Sequence, residues 1–209
     1  AIDWAVGEGK LVVRDGFCAV SRMAFHELEI AEFVTGSDDG HEWPDPDVIC
    51  SFAPKEKPLS DHQRDAIGFA IGTDRIGCLQ GSPGVGKTFC VAAIVKAVIQ
   101  RFGQDSIAVC APTGKAAVRV AQSMQANGVD LPASTIHRLL QVEGEGGEGD
   151  GWSFHFNEQN PLPYRFLIID ESSMIDVDLL ASLLRACTPS THILFVGDTG
   201  QLAPVGHGR

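Results

Sequence analysis

The residues best suited to chemistry form a glycine-rich run that follows a short apolar stretch. The run consists of Gly81, Ser82, Pro83, Gly84, Val85, Gly86, Lys87 and Thr88. It satisfies the pattern G-x-x-x-x-G-K-[ST], in which backbone N–H groups surround phosphates, the lysine reaches the β- and γ-phosphates and the hydroxyl ligates magnesium. The sequence therefore predicts that this phosphate loop (residues 81–88, a Walker A motif) binds ATP and Mg²⁺, with Lys87 as a catalytic residue.

A second acidic site follows an apolar run at residues 166–169. This run predicts a buried strand, and a carboxylate at its end, Asp170, is placed to ligate magnesium together with Thr88. The next residue, Glu171, is placed to orient or deprotonate an attacking water. Alternatively, Glu171 only begins the next helix, where negative charge is favourable, and the two roles are compatible. Glu171 favours hydrolysis over phosphoryl transfer to a second substrate.

Strands and helices alternate through the region that contains both sites. Apolar runs predict strands at 75–80, 106–110, 166–169 and 191–196. Amphipathic spacing predicts helices at 60–71, 87–101, 115–125 and 177–187, with a short helical turn at 135–140. This alternation predicts an α/β fold with a parallel sheet covered by helices on both faces.

The N-terminal region has a different pattern. Residues 10–21 alternate around Asp15-Gly16 and predict a hairpin, and residues 23–34 have helical spacing. Residues 36–58 are rich in Gly, Pro and Asp and are interpreted as a linker. We therefore expect an extension with its linker at 1–58 and a nucleotide-binding domain at 59–209.

Composition sets limits on partners and location. The formal net charge is −11, with acidic residues concentrated at 37–47 and 143–150, which weakens a nucleic-acid interpretation without excluding a local binding track. Residues 141–157 are interpreted as a glycine-rich insertion. No apolar run approaches the roughly 20 residues of a membrane span and no signal peptide is evident, so we expect a cytoplasmic protein without a membrane partner.

Six cysteines are present, without Cys-x-x-Cys spacing. Four of them lie in apolar stretches: Cys78, Cys90, Cys110 and Cys187. Such cysteines behave as small hydrophobic residues, so we expect reduced thiols in the core rather than a metal or redox site.

Four further sequence islands occur in a fixed order, at residues 111–117, 135–140, 170–174 and 197–205. Together with the phosphate loop they resemble the first motor domain of superfamily 1 DNA helicases of the RecD-like group, the exonuclease V alpha subunit and its relatives. The likeness covers residue 59 to about residue 209, and residues 17–34 resemble the segment that precedes that motor. It implies a P-loop NTPase (RecA-like) fold and ATP-driven DNA unwinding in recombination or repair, with single-stranded DNA and subunits of a nuclease–helicase complex as partners.

The resemblance also assigns roles to residues of the nucleotide site. Gln63 matches the glutamine that contacts adenine. Gln201 matches a catalytic residue that senses the γ-phosphate and couples it to the nucleic-acid track, and Asp198 supports that geometry.

Two islands match the motifs that grip single-stranded DNA. The matching residues are Pro112, Thr113, Gly114, Lys115, Thr135 and His137. A hydroxyl, a glycine and a lysine at a helix start can all donate to a phosphate, although a plain strand-to-helix turn has the same composition. Without the resemblance, His137 is interpreted as a packed or solvent-facing residue. Trp43, Trp152 and Phe154 could stack on bases, but packing is the better interpretation.

In the RecD-like group a second motor domain supplies arginines that reach the γ-phosphate. This chain ends shortly after Gln201, so we expect that domain to be absent. An arginine acting in trans accelerates phosphoryl transfer by roughly 10³–10⁵, so we expect the chain to bind ATP, hydrolyse it weakly and not unwind DNA alone. The alternatives are a non-enzymatic ATP- or DNA-binding module, or a helicase that acts on RNA.

Overall fold

The computed structural model describes residues 8–14, 17–36, 43–71, 75–145, 152–198 and 200. Strands β1 (Leu11–Arg14) and β2 (Phe17–Val20) pair antiparallel, and helix α1 (Ser21–Thr35) follows directly. The predicted hairpin and helix are confirmed, although the helix begins two residues earlier than its spacing predicted.

Six more α-helices follow within the described residues. They are α2 (Pro46–Cys50), α3 (Asp61–Ala70), α4 (Lys87–Phe102), α5 (Gly114–Ala126), α6 (Ile136–Leu140) and α7 (Val177–Arg185). Helix α3 begins in a capping box, because the Ser60 hydroxyl accepts from the Gln63 N–H at 3.3 Å and the Gln63 side chain accepts from the Ser60 N–H at 3.0 Å. This reciprocal pair fixes the start of the helix that faces the phosphate loop.

Five parallel strands form the central sheet. They are β3 (Ile76–Gln80), β4 (Ile107–Ala111), β5 (Ala133–Thr135), β8 (Phe166–Ile169) and β9 (His192–Gly197). Their spatial order is β3-β9-β8-β4-β5, and every neighbouring pair is parallel. All five carboxyl ends therefore lie along one edge, which is where open α/β sheets bind ligands.

Alternate residues of each central strand pack on opposite faces of the sheet. In β8, Phe166 and Ile168 join the cluster beneath α4, whereas Leu167 and Ile169 join the cluster beneath α7. All four are fully buried, and each such side chain stabilises the fold by about 1.5–3 kcal/mol. The predicted α/β sheet with helices on both faces is confirmed. Strand β5, only three residues long, was not predicted.

The segment interpreted as a linker contains packed structure. Trp43 is 2% exposed, and its ring centroid lies 5.0 Å from that of Phe166. Asp45 caps the short helix α2, which buries Ile49 in the same core. Residues 43–52 are therefore part of the folded body, because burying a tryptophan and an isoleucine outweighs the turn-forming composition around them.

The glycine-rich insertion also contains structure. Strands β6 (Val142–Glu145) and β7 (Trp152–Phe154) form an antiparallel hairpin, with residues 146–151 outside the described residues. Phe154 is buried in the core. The packing interpretation is therefore confirmed for Trp43 and Phe154, whereas the Trp152 side chain lies outside the described part.

The cysteine interpretation holds for three of the four residues. Cys90, Cys110 and Cys187 are buried free thiols, and burial raises the pKa of Cys90 to about 11. The interpretation is wrong for Cys78, which is exposed because it lies on the opposite face of β3 from the buried Gly77 and Leu79. Within the described residues, no helix is long and apolar enough to cross a membrane.

Candidate nucleotide and nucleic-acid site

The predicted site residues that the structure describes come together at the carboxyl edge of the central sheet. The phosphate loop follows β3, Asp198 follows β9, and Asp170 with Glu171 follows β8. These three strand ends form what we call the nucleotide half. The strand half comprises the ends of β4 and β5, where Pro112–Lys115 and Thr135–His137 lie.

The phosphate loop needs glycine at two positions. Gly84 and Gly86 have φ angles of +83° and +94°, a left-handed conformation that glycine adopts without strain. Helix α4 begins directly afterwards, at Lys87, so its first N–H groups and its positive dipole end point into the loop. This is the backbone cradle that a polyphosphate requires.

Lys87 and Gln63 both contact carbonyl groups of this loop. The Lys87 ammonium donates to the carbonyls of Gly81 and of Ser82, the latter at 3.1 Å. The Gln63 amide donates to the Val85 carbonyl at 3.0 Å, and a Cβ on Gly86 would lie 2.4 Å from the same nitrogen. Gln63 thus braces the loop, and its contact with adenine stays a prediction.

Asp170 is held at the end of β8 by its own backbone, whose N–H donates to the Cys110 carbonyl at 2.9 Å. The pKa of the Asp170 carboxyl is raised, mainly by burial and also by the charge of Glu171. The hydrogen bond from the Glu171 N–H and the charges of Lys87 and Arg119 act in the opposite direction. A carboxylate that loses hydration in this way is stabilised by a nearby cation. The hydroxyl of Thr88 and the carboxylate of Asp170 are the hard oxygen donors that Mg²⁺ prefers.

Within the described ranges, no group of three or more His, Cys, Asp or Glu side chains is arranged to hold a metal.

Glu171 has an unusual backbone and an unpredicted partner. Its φ of 52° and ψ of 38° lie in the left-handed region, which costs a residue other than glycine of order 1–3 kcal/mol. Its carboxylate Oε1 lies 3.4 Å from Nη1 of Arg119, on α5. No motif singles out Arg119, although its spacing four residues after Lys115 places both on one helix face.

The end of β9 lies between the two carboxylates and the loop. The Gly81 N–H donates to the Gly197 carbonyl at 3.3 Å, and a Cβ on Gly197 would lie 2.9 Å from the Ser172 hydroxyl. Asp198 is buried, and its carboxylate accepts from the Gly200 N–H at 2.9 Å. Gln201 lies outside the described residues, so its role stays a prediction.

Two threonines organise the strand half. The Thr113 hydroxyl accepts from the Ala116 N–H at 3.2 Å and caps α5, and the Thr135 hydroxyl accepts from the Arg138 N–H at 3.1 Å and caps α6. Strand pairing aligns Ala111 with Thr135, so the two helix N-termini lie side by side. Each hydroxyl accepts with its oxygen, which leaves its hydrogen able to donate to a phosphate.

The other predicted strand contacts differ in exposure. Gly114 and Lys115 are exposed, and Pro112 is half-buried. His137 is also half-buried, and its ring centroid lies 6.1 Å from that of Phe154. His137 therefore packs partly against β7 beside the strand half.

Comparison with known proteins gives the family. The model of the AAA domain family matches residues 63–207. The RecBCD enzyme subunit RecD of Mycobacterium tuberculosis is 36% identical over 164 residues, covering 71% of this chain and 27% of that protein. The ATP-dependent RecD2 DNA helicase of Deinococcus radiodurans is 40% identical over 152 residues, covering 73% of this chain and 19% of that protein.

The chain thus spans about a quarter or less of the length of these relatives. Among solved structures, the UvsW helicase of bacteriophage T4 superposes with a TM-score of 0.52 at 11% identity, covering 78% of this chain and 62% of that one. This likeness concerns the fold alone. The family match and the identities to RecD and RecD2 together show that the chain belongs to the AAA domain family and, within it, to the RecD-like superfamily 1 helicase motor domains.

Proposed function

We propose that residues 59–209 are the ATP-binding and ATP-hydrolysing motor domain of a DNA helicase. One observation carries the proposal: a phosphate loop, a carboxylate pair and two capped helix N-termini meet along one sheet edge. The relatives named RecD and RecD2 support it, since the latter is an ATP-dependent DNA helicase.

ATP binds with its phosphates in the loop at residues 81–88, where the glycine N–H groups and the start of α4 surround them. Lys87 exchanges its contacts with the carbonyls of Gly81 and Ser82 for the β- and γ-phosphates. Gln63, already against the loop, contacts adenine. Thr88 and Asp170 hold Mg²⁺, which neutralises charge on the phosphates when bound.

In hydrolysis, the oxygen of a water molecule forms a bond to the γ-phosphorus. The bond from that phosphorus to the β–γ bridging oxygen breaks, and ADP leaves with the electron pair. Glu171 orients the water and takes its proton. Lys87 compensates the negative charge that develops on the phosphoryl oxygens, and Gln201 senses the γ-phosphate.

Single-stranded DNA binds across the strand half, where the residues from Pro112 to Lys115 and Thr135 contact its phosphates and His137 lies alongside. Helix N-termini and hydroxyl donors suit phosphate and do not require a basic surface overall, which reconciles the site with a net charge of −11. In the working enzyme a second motor domain closes over this edge, and subunits of a nuclease–helicase complex are partners.

The test is ATP turnover by the full-length protein with and without single-stranded DNA. We expect stimulation by DNA, and we expect Lys87→Ala to abolish both basal and stimulated turnover. Turnover that survives Lys87→Ala contradicts the assignment of this loop. Retained binding of ATP and DNA without turnover in the wild type favours the non-enzymatic module, and stronger stimulation by RNA favours an RNA helicase.

A further inference from the structure

Among the described residues, Arg119 makes a side-chain contact between the two halves of the sheet edge. Helix α5 starts in the strand half at Gly114, and Arg119 lies one turn beyond Lys115 on the same exposed face. Its guanidinium Nη1 lies 3.4 Å from the Glu171 carboxylate. Arg119 is 75% exposed, whereas the Glu171 side chain is 16% exposed, so the arginine is accessible from solvent while it holds its partner.

The direction of this contact follows from the strand order. Glu171 follows β8. On one side of β8 lies β4, which leads into the helix that carries Arg119. On the other side lie β9 and then β3, which leads into the phosphate loop. The ion pair therefore ties the Glu171 carboxylate to a helix of the strand half, on the side of β8 opposite the loop. The left-handed backbone of Glu171 marks it as a residue held by its surroundings rather than by its own preference.

We propose that Arg119 is a positioning residue that restrains Glu171 until a nucleic-acid phosphate replaces Glu171 as the partner of Arg119. The inference rests on the proposed function, because it concerns how a bound strand stimulates hydrolysis. A phosphate gripped at the start of α5 lies one helical turn from Arg119. Guanidinium groups bind phosphate through paired hydrogen bonds, so the phosphate competes with the single contact to Glu171. The released carboxylate then turns toward the attacking water.

The test compares Arg119→Gln with the wild type in full-length protein, measuring ATP turnover with and without an oligothymidine strand. Because an exposed ion pair is weak, we expect strand-independent turnover to rise about two- to fivefold and the strand-induced stimulation to shrink by a similar factor. The KM for ATP should not change. Arg119→Lys, which keeps the charge but not the paired donors, should keep strand-independent turnover near the wild-type value and retain only part of the stimulation.

Two controls separate the possible failures. Arg101→Gln also removes one positive charge, from the far end of α4, and should leave turnover and stimulation unchanged. If Arg119→Gln leaves strand-independent turnover unchanged or lowers it, the restraint does not exist and the inference is overturned. Failure of Lys87→Ala to abolish turnover would instead contradict the proposed function itself, whatever the result for Arg119→Gln. A merely structural role for Arg119 would lower turnover, not raise it.

Discussion

The two halves of the sheet edge hold their polar groups in different ways. In the nucleotide half these groups form hydrogen bonds within the protein. Lys87 donates to loop carbonyls, Gln63 donates to the Val85 carbonyl, and Asp198 accepts from the Gly200 N–H. In the strand half, the Thr113 and Thr135 hydroxyls cap two helices, and Gly114 and Lys115 are exposed.

This difference corresponds to two kinds of ligand. A site that stabilises charge developing in a reaction needs desolvated groups in fixed positions, since a low local dielectric strengthens each interaction. A site that grips and releases a moving strand needs shallow, exposed donors whose contacts are individually weak. Variants in the two halves should therefore differ in both the property affected and its magnitude.

After the abolition of turnover expected for Lys87→Ala, the largest expected effect belongs to Glu171→Gln. We expect ATP turnover to fall by about 10²–10⁴, because the amide cannot accept the proton of water. Binding of a fluorescent ATP analogue should persist, since Glu171 does not contact the loop. Unchanged turnover in this variant would mean that Glu171 is not the base.

A smaller effect is expected for Gly86→Ala, with Gly84→Ala as its matched control. Both changes impose a left-handed backbone on alanine, which costs about 1–2 kcal/mol, or about tenfold in nucleotide affinity. Only the Cβ on Gly86 meets another group, the Gln63 amide nitrogen at 2.4 Å, whereas nothing lies within 4 Å of a Cβ on Gly84. Titration with a fluorescent nucleotide should therefore show the greater loss for Gly86→Ala. Equal losses would show that the Gln63 brace contributes nothing.

Lys115→Ala tests the strand half alone. We expect affinity for single-stranded DNA to fall a few-fold. The slope of log affinity against log salt should decrease in magnitude by about one, which corresponds to the loss of one phosphate contact. Nucleotide affinity should stay at the wild-type value. A parallel loss of nucleotide affinity would contradict the division into two halves. Measurement of DNA affinity by fluorescence anisotropy across a salt series gives both quantities.

The smallest expected effect is on stability. Since burial raises the pKa of Asp170, the folded state binds a proton more tightly than the unfolded state, so this residue lowers stability as pH rises through its folded pKa. Asp170→Asn should therefore raise the melting temperature at pH 7 without nucleotide or metal, by about 2–4 °C for about 1 kcal/mol. The gain should shrink below about pH 4, where a carboxyl is protonated in both states. A gain that does not vary with pH would argue against desolvation as its cause.

The nucleotide half was largely predictable because its signals are local. The loop geometry, the start of α4 and the strand before Asp170 all depend on a few adjacent residues. Local patterns failed where long-range packing decides: they missed β5, and they assigned Trp43 to a linker although it packs against Phe166. They also placed Cys78 in the core, because the apolar pattern of a strand does not reveal which of its faces is buried.

By itself, the sequence determined the phosphate loop, the carboxylate pair and the α/β alternation. These follow from backbone preferences and hydrophobic periodicity, which act over a few residues. Only the tertiary structure decided that the ends of β4 and β5 lie side by side and that Arg119 reaches Glu171 across 52 positions of the chain. Such contacts depend on the order of strands in the sheet, and that order is fixed by the packing of the whole core rather than by any local segment.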